Sequence, residues 1–357
     1  MKKVLFISLA VVFVYATQNL RQKALDKGLR PIPKDFATLK SEVDDKYNPL
    51  SIDKIKLGEE LFFDKNLSLD RTISCASCHD IKNGGEDGKP TAIGYKKRAN
   101  PSHLNSPTVL NTAYSKHLFW DGRAKSLRDQ AKGPTQATFE MASTPELIES
   151  RVKENPKYSR EFENIYGEDA ITFDNITKAI AAYEKTLVTR SRYDEFLEGD
   201  ENALTQEEKR GLNLFIDMGC KACHFGPAIG GQKIQKFPLR EYNSIIDLTT
   251  TFDEKTHQRH FSQMHFNFEM YHPFPFKNVG GFLGKNGTRY FRVPILRNIS
   301  KTAPYFHNGS VKELREAIQI MGKYQLGLDL TKEQLDALEA FLKSLDGEIV
   351  DYNLTKK

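Results

Sequence analysis

The sequence predicts a mainly α-helical protein built from two domains. Apolar residues recur at helical spacing, and one pattern occurs twice: an amphipathic helix, a Cys-x-x-Cys-His motif, a long loop region and further helices. A length of 357 residues suits roughly two domains. With 39% hydrophobic residues, a mean hydropathy of -0.54 and a net charge of only +5, the composition is that of a soluble globular protein and gives no case for nucleic-acid binding.

The first 16 residues predict export from the cytoplasm. A basic start, Met1-Lys2-Lys3, precedes an apolar run from Val4 to Ala16, which is too short for the roughly 20 residues of a membrane span. Its length is that of a signal-peptide core, and Val14-Tyr15-Ala16 is an imperfect small-residue cleavage site. We therefore predict a signal peptide or an N-terminal anchor over residues 1–16.

The next two segments are predicted from turn residues and helical periodicity. Residues 17–50 are polar and carry three prolines, so we expect an extended lead-in. Residues 51–198 are predicted to form the first domain. Its helices are expected from Lys54 to Asp64, after the cap Thr144, and from Thr172 to Thr189.

A second domain is predicted over residues 199–347, with a C-terminal tail over residues 348–357. The polar stretch from Glu195 to Gln206 marks the boundary. Three capping boxes predict helix starts: Thr205 with Glu208, Ser310 with Glu313, and Thr331 with Gln334. From Phe225 to Tyr290 the periodicity is weak, and we predict long loops laid over the second domain.

All four cysteines fall into two Cys-x-x-Cys-His motifs, Cys75 to His79 and Cys220 to His224. This pattern is an attachment signature for c-type haem: the thiols form thioethers with the haem vinyl groups, and the adjacent histidine becomes the proximal iron ligand. A zinc half-site, a redox dithiol or one shared four-cysteine zinc site would use the same residues. Because both pairs carry the histidine and an export signal precedes them, we predict two covalently bound haem c groups and a periplasmic protein.

Motifs between Lys54 and Gly347 resemble the bacterial dihaem cytochrome c peroxidases, with both haem motifs in order. The segments that carry the resemblance are Gly84-Gly85, Asn105-Ser106-Pro107-Thr108-Val109-Leu110-Asn111, Phe119-Trp120-Asp121-Gly122-Arg123-Ala124, Gln130-Ala131-Lys132-Gly133-Pro134, Glu140-Met141, Val293-Pro294-Ile295-Leu296-Arg297-Asn298, Thr302-Ala303-Pro304-Tyr305-Phe306-His307, Ile320-Met321-Gly322 and Gln325-Leu326-Gly327. Motifs this numerous are highly specific, although the related MauG-type enzymes share much of the layout. The resemblance implies two cytochrome c-like domains, each carrying one covalently attached haem c.

The resemblance also implies unequal roles for the two haems. The first, with His79 as proximal ligand, would be the peroxidatic site, and the second, with His224, would receive the electrons. Met321 matches the distal ligand of the second haem, and thioether ligation raises the reduction potential, which suits an electron relay. Because Met321 shares a helical stripe with Leu314 and Ile318, ordinary core packing is the alternative.

Three residues are implied in catalysis. Glu140 matches the family's distal acid–base residue, which would move a proton between the two peroxide oxygens. Gln130 matches its partner, which would orient peroxide by hydrogen bonding. Trp120, the only tryptophan, matches the residue between the two haems, and core packing is compatible with that role.

A calcium site is implied by a further match. Asn105, Thr302 and Pro304 match the family's calcium ligands between the domains, of which two would be backbone carbonyls. His307, in the same stretch, is expected to contact a haem propionate.

One position departs from the family pattern. Many of these peroxidases have a histidine that caps the resting peroxidatic iron, whereas this sequence has Tyr95 there. Either the site has no strong sixth ligand, or His103 on the same loop caps the iron. A third interpretation leaves His103 as a plain loop histidine.

The predicted function is the reduction of hydrogen peroxide to water with electrons from a small cytochrome c or a similar periplasmic donor. The family is often dimeric, so a homodimer is implied. Two rivals are a dihaem electron-transfer cytochrome without peroxidase activity and a MauG-like protein-modifying oxidase. The MauG group has a tyrosine where Met321 stands, which favours the peroxidase. The histidines from His257 to His272 are interpreted as a docking surface or as an extra cover over the second haem.

Overall fold

The computed structural model describes residues 20–240, 246–266 and 274–354. Helices dominate these ranges, which confirms the mainly α prediction, and a helical segment at residues 20–26 precedes the others. The α-helices are α1 (Phe36–Val43), α2 (Ile52–Phe63), α3 (Leu127–Gln136), α4 (Pro145–Lys153), α5 (Pro156–Tyr166), α6 (Phe173–Glu184), α7 (Arg192–Glu198), α8 (Gln206–Asp217), α9 (Leu314–Ile320) and α10 (Lys332–Ser344). Across the described ranges, we find no helix with the length and apolar character that crossing a membrane requires. The predicted signal or anchor lies outside the described residues.

The strands form short antiparallel pairs. They are β1 (Thr189–Arg190), β2 (Ile234–Lys236), β3 (Ile246–Asp253), β4 (Gln258–Phe266), β5 (Tyr290–Arg292) and β6 (Glu348–Ile349). β1 pairs with β6, β2 with β5, and β3 with β4. The first two pairs join residues that are far apart in the chain, so they tie distant segments to the helical cores.

The first core is built on α2 and α6, which lie on either side of the first Cys-x-x-Cys-His motif in the chain. Ser51 and Thr172 cap these helices by accepting hydrogen bonds from backbone N–H groups of the first turn. The helices cross tightly at Gly58, where a Cβ would lie 1.9 Å from the carbonyl oxygen of Ala179. The buried side chains of this core include Leu57, Leu61, Phe62, Ile148, Phe162, Ile176 and Ile180.

The second core repeats this arrangement with α8 and α10. At their crossing, a Cβ on Gly211 would lie 1.9 Å from the carbonyl oxygen of Ala337. The buried side chains include Leu212, Phe215, Leu335, Leu338, Phe341 and Leu342. The internal duplication that the sequence predicts therefore has a counterpart in two helix pairs, each crossing at a glycine.

Two of the three predicted capping boxes are confirmed, at the starts of α8 and α10. The third is wrong. Helix α9 begins only at Leu314, and its N-cap, Glu313, makes no side-chain capping hydrogen bond. The Ser310 hydroxyl instead donates to the carbonyl oxygen of Lys277 (2.9 Å), so a long-range loop contact uses the group that the local pattern assigned to the helix.

The prediction of an extended lead-in is wrong for its described part. Two helical segments form there: residues 20–26, before the first proline, and α1, which lies between Pro33 and Pro49 and which Asp35 caps by accepting from the Thr38 N–H (2.9 Å). This segment passes from one core to the other. Ala24 and Leu29 are buried in the second core, whereas residues 32–43 contribute to the first.

Two further expectations need correction. The stretch from Phe225 to Tyr290 is not only loops, because β3 and β4 form a long hairpin with a bulge between Thr249 and Thr250. The predicted tail is also ordered in part: β6 pairs with β1, and the Val350 N–H donates to the carbonyl oxygen of Val188 (3.0 Å). The proposed boundaries of the two domains stay a prediction.

Candidate functional site

Each Cys-x-x-Cys-His motif borders its own cavity. The N-terminal cavity, of about 320 Å³, is lined by Cys75, Cys78 and His79. The C-terminal cavity, of about 230 Å³, is lined by Cys220, Cys223 and His224. Segments from both halves of the chain complete the walls of both cavities.

The two motifs adopt the same local conformation. Each begins with a single 3₁₀ turn, over Cys75–Ser77 and Cys220–Ala222. In each, the histidine N–H donates to the carbonyl oxygen of the first cysteine at 3.1 Å. This turn places both thiols and the imidazole of one motif on the wall of one cavity.

The imidazole of His79 is oriented by the backbone. Its Nδ1 donates to the carbonyl oxygen of Gly85 (3.2 Å), which leaves Nε2 as the acceptor nitrogen. Burial lowers the pKa of His79, so the neutral ring is favoured. A neutral imidazole whose second nitrogen is hydrogen-bonded is the form that binds a metal.

His224 is buried in the wall of the C-terminal cavity, and burial lowers its pKa to about 4. Its Nδ1 makes no hydrogen bond of normal geometry to the described residues, although backbone groups of Ile229 and Pro294 lie close enough to oppose the pKa shift slightly. The neutral ring that burial favours keeps one nitrogen free of a proton, which is the form that binds a metal.

Met321 borders the same cavity as His224. It follows α9 at the start of a π-helical segment, Met321–Leu326, where the helix widens. Such segments often mark functional sites. The predicted stripe is also present, because Leu314 and Ile318 are buried beside it.

The donor sets of the two cavities fit covalently tethered haem. The four thiols are not paired as disulfides, and they lie two by two in separate cavities, so they do not form one four-cysteine zinc site. Across the described ranges, no three side chains of histidine, cysteine, aspartate or glutamate are placed to hold a metal ion by themselves. Two thiols and one imidazole on the wall of a largely apolar cavity match the chemistry of c-type haem attachment.

A polar set borders the N-terminal cavity alone. Gln130 lies in the first turns of α3, and Glu140 lies in the turn that follows this helix, where its N–H donates to the carbonyl oxygen of Ala137 (2.9 Å). Burial raises the pKa of Glu140, and the positive charge of Arg123, on the same cavity wall, partly opposes this shift. The carboxyl can therefore change protonation state more readily at moderate pH than an exposed glutamate.

Neither candidate cap of the first haem, Tyr95 or His103, borders the N-terminal cavity in this structure. The Tyr95 N–H instead donates to the backbone carbonyl of Glu140 (2.7 Å). Gly94 lies against the same segment: a Cβ there would be 2.2 Å from the carbonyl oxygen of Phe139. The loop that carries the departure from the family pattern thus supports the backbone of Glu140.

Trp120 lies between the two cavities and borders both. It is 9% exposed, and its indole N–H donates to the carbonyl oxygen of Asn105 (2.8 Å). Core packing and a position between two haem sites are therefore combined in one side chain.

The residues matched to a calcium site meet on the wall of the C-terminal cavity. Asn105, Thr302 and Pro304 all border it. The Asn105 amide donates to the carbonyl oxygen of Lys89 (2.8 Å), which leaves its side-chain oxygen able to accept. His307 borders the same cavity, and its Nε2 pairs with the Asn278 side-chain oxygen (2.9 Å).

Sequence reasoning missed several site residues. Arg292 borders both cavities, and Glu184, whose pKa burial raises to about 8, borders the N-terminal one. An aromatic group also packs beside the C-terminal cavity, and three of its members, Phe237, Phe291 and Phe306, border that cavity. The sequence signal that could have identified Arg292 is a charged residue placed between the apolar residues Phe291 and Val293.

Of the histidines from His257 to His272, His257 and His260 do not border either cavity. His257 and His260 are exposed and lie near Asp217 (3.1 Å) and Asp253 (3.9 Å). His272 lies outside the described residues. The docking-surface interpretation of this segment stays a prediction.

Comparison with known proteins gives a consistent set of relatives. The family model described as di-haem cytochrome c peroxidase matches residues 52–202. The chain is 40% identical over 312 residues to cytochrome c551 peroxidase of Nitrosomonas europaea, covering 86% of this chain and 84% of that protein. It is 38% identical over 325 residues to the cytochrome c551 peroxidase of Pseudomonas aeruginosa, covering 89% and 84%. Among solved structures, a MauG-like protein associated with microbial copper homeostasis superposes with a TM-score of 0.69 at 25% identity, covering 92% of this chain and 96% of that one.

Proposed function

The chain belongs to the di-haem cytochrome c peroxidase family and is a cytochrome c peroxidase, and on this basis we propose how its residues divide the reaction. The overall reaction is the reduction of hydrogen peroxide to water with electrons from a small cytochrome c or a similar donor. One observation carries the division: Glu140 and Gln130 border only the N-terminal cavity, and Met321 borders only the C-terminal one.

Each cavity holds one haem c in this proposal. Cys75, Cys78 and His79 would hold the first haem, and Cys220, Cys223, His224 and Met321 would hold the second. When bound, haem would supply electron transfer at both sites and the activation of peroxide at the first.

Glu140 is proposed as the acid–base residue. Its carboxylate accepts the proton of the peroxide oxygen that stays bound and returns it to the leaving oxygen, so that water departs. This role requires an ionised carboxylate that is easily protonated, and the opposed effects of burial and Arg123 on its pKa support it. Gln130 orients the peroxide by hydrogen bonding from the same wall.

Electrons are proposed to reach the C-terminal haem first and then to pass toward the N-terminal one. Trp120 borders both cavities, which supports a place on this route. The donor would dock near the C-terminal cavity in a small, transient interface, as electron-transfer partners commonly do.

Further assignments complete the proposal. Asn105, Thr302 and Pro304 bind one calcium ion, with oxygen donors as calcium prefers. The protein forms a homodimer, acts in the periplasm and is sent there by residues 1–16. Tyr95 leaves the first haem open at rest unless His103 moves to it. The two cytochrome c-like domains follow the predicted boundaries, residues 51–198 and 199–347.

Replacement of the acid–base residue tests the proposal. In the holoprotein, Glu140→Gln should lower peroxide turnover with a reduced cytochrome c by about 10²–10⁴-fold, the usual contribution of general acid–base catalysis. Both haem spectra should stay largely unchanged. The matched control is Glu163→Gln, an exposed glutamate on α5, which should keep wild-type turnover.

The outcomes separate the rival functions. Persistent turnover in Glu140→Gln would show that another group moves the proton. Absence of turnover in the wild-type holoprotein, with both haems reducible, would favour an electron-transfer cytochrome. Modification of a protein substrate at the expense of peroxide would favour a MauG-like oxidase.

A further inference from the structure

Arg292 is a buried cation held between the two cavities. It ends β5, where it is paired with Ile234 of β2, and its backbone N–H donates to the carbonyl oxygen of Trp120 (2.7 Å). Only 2% of the residue is exposed, and it borders both cavities. The backbone contacts on both sides therefore fix its position in the shared wall.

The guanidinium has no anionic partner among the described residues. Its Nε is buried without a hydrogen bond, and its nearest aromatic neighbour is Trp120, with the ring centroid 6.0 Å from Cζ. Burial alone lowers the pKa of Arg292 to about 10, with no carboxylate opposing the shift. The group nevertheless remains a cation at neutral pH.

A second buried arginine, Arg297, shows the kind of anionic partner that Arg292 lacks. Arg297 donates from both terminal nitrogens to the Asp194 carboxylate, each at 2.7 Å, and neither side chain is exposed. A buried charge without such a partner is strongly destabilising. The contrast indicates that Arg292 faces an anion that the polypeptide itself does not supply.

We propose that Arg292 pairs with propionate carboxylates of both haems and is the shared counter-ion of the two haem sites. This inference rests on the proposed function only in that each cavity holds a haem. Haem carries two propionates, and the planar guanidinium has five N–H donors that can serve two carboxylates at once. A lysine ammonium, as a single point charge, serves this geometry less well.

A shared counter-ion has a measurable electrostatic consequence. A propionate without its cation stabilises the oxidised haem, because the ferric site carries one more positive charge than the ferrous site. Loss of Arg292 should therefore favour oxidation at both haems. A charged residue that borders only one cavity should change the reduction potential of the haem in that cavity only.

Potentiometric titration of the holoprotein, followed by the visible spectra of the two haems, tests this. In Arg292→Gln, the ratio of reduced to oxidised haem at a fixed potential should fall about tenfold for each haem, which is about 59 mV for a one-electron couple. Arg123→Gln is the control, because Arg123 borders only the N-terminal cavity. It should leave the potential of the C-terminal haem unchanged.

The result does not depend on peroxidase activity, so it separates this proposal from the proposed function. A shift at one haem only, or at neither, would overturn the shared counter-ion. If Arg292→Gln does not mature with two haems, Arg292→Lys is titrated in its place. At least one potential should then fall, and two unchanged potentials would count against the proposal.

Discussion

The two cavities are built on the same arrangement of helices and differ in the residues that line them. In each half a pair of helices crosses at a glycine, Gly58 or Gly211, and the same 3₁₀ turn presents two thiols and an imidazole. The N-terminal cavity then adds Glu140, Gln130 and Glu184. Among its described lining residues the C-terminal cavity has no carboxylate, and aromatic side chains and Met321 take that place.

This difference fits the separate tasks proposed for the two sites. Movement of protons needs titratable groups beside the substrate, whereas electron transfer needs a closed coordination sphere in dry surroundings. The helix pairs beside the two haem motifs are alike, whereas the lining residues differ: Gln130 on α3, Glu184 on α6 and Glu140 after α3 border the N-terminal cavity alone. Substitutions in the two cavities test this difference.

Replacement of Met321 should make the C-terminal site resemble an open one. In Met321→Leu, the midpoint potential of the second haem should fall by about 120 mV, which is about 10²-fold in the electron-transfer equilibrium and well within the roughly 0.8 V that axial ligands span. Potentiometry and donor oxidation rates measure it. Met218→Leu removes another thioether from the same cavity wall and should leave the potential near the wild-type value. Equal shifts of the midpoint potential in the two variants would mean that Met321 serves only as a packing residue and not as an iron ligand.

A methyl group at Gly94 should disturb only the polar cavity. The added Cβ would lie 2.5 Å from the Glu140 Cα, so the backbone of the acid–base residue must move. We expect Gly94→Ala to lower kcat by up to about 10²-fold, since a displacement of about 1 Å can have that effect. Gly88→Ala introduces backbone strain at φ +66° but has nothing within 4 Å of its Cβ, so in a steady-state assay it controls for destabilisation without displacement of Glu140. Wild-type kcat in Gly94→Ala would mean that the position of Glu140 is not set by this loop.

The equivalence of the two helix crossings is tested by a matched pair of variants. Gly58→Ala and Gly211→Ala each place a methyl 1.9 Å from a backbone carbonyl, and each should lower the free energy of unfolding by about 1–3 kcal/mol, the usual cost of overpacking. Thermal unfolding of the holoproteins, monitored separately at each haem, measures both. If only one variant is destabilised, the two crossings are not equivalent.

The smallest effect is expected for the charge beside Glu140. The carboxylate must be ionised to accept a proton, so turnover should fall as pH drops through its pKa. Arg123 lowers that pKa, and Arg123→Gln should therefore move the acid limb of kcat/KM to higher pH, by less than about one unit. Arg128→Gln, which pairs with Asp129 away from the cavity, should leave the profile unchanged. A shift to lower pH would contradict the assigned interaction.

Local signals predicted the helices well, because their determinants are close in sequence. The caps Thr144, Thr172, Thr205 and Thr331 are all formed as the residue pattern suggests. Ser310 failed because a loop distant in the chain binds its hydroxyl. The β3–β4 hairpin was missed since its strands alternate weakly, although the β-branched run Thr249-Thr250-Thr251 is typical of a strand.

For the site, the haem motifs were recognisable because attachment chemistry dictates their spacing. The resemblance supplied Glu140, Gln130 and Met321, and each borders the cavity expected for it. Arg292 could not be found in this way, because its meaning depends on the pairing of β5 with β2 and on the carbonyl of Trp120. No short sequence pattern predicts a contact between segments that are so far apart in the chain.

The crossing of the chain ends also bears on how this protein can be divided. The segment before residue 30 completes the second core, and β6, from the far end, completes the first by pairing with β1. Proteolytic cleavage in the polar stretch between residues 199 and 205 would leave two fragments that remain associated through these contacts. Because each core contains a segment from the other half of the chain, cleavage at this stretch alone should not release an independent one-haem fragment.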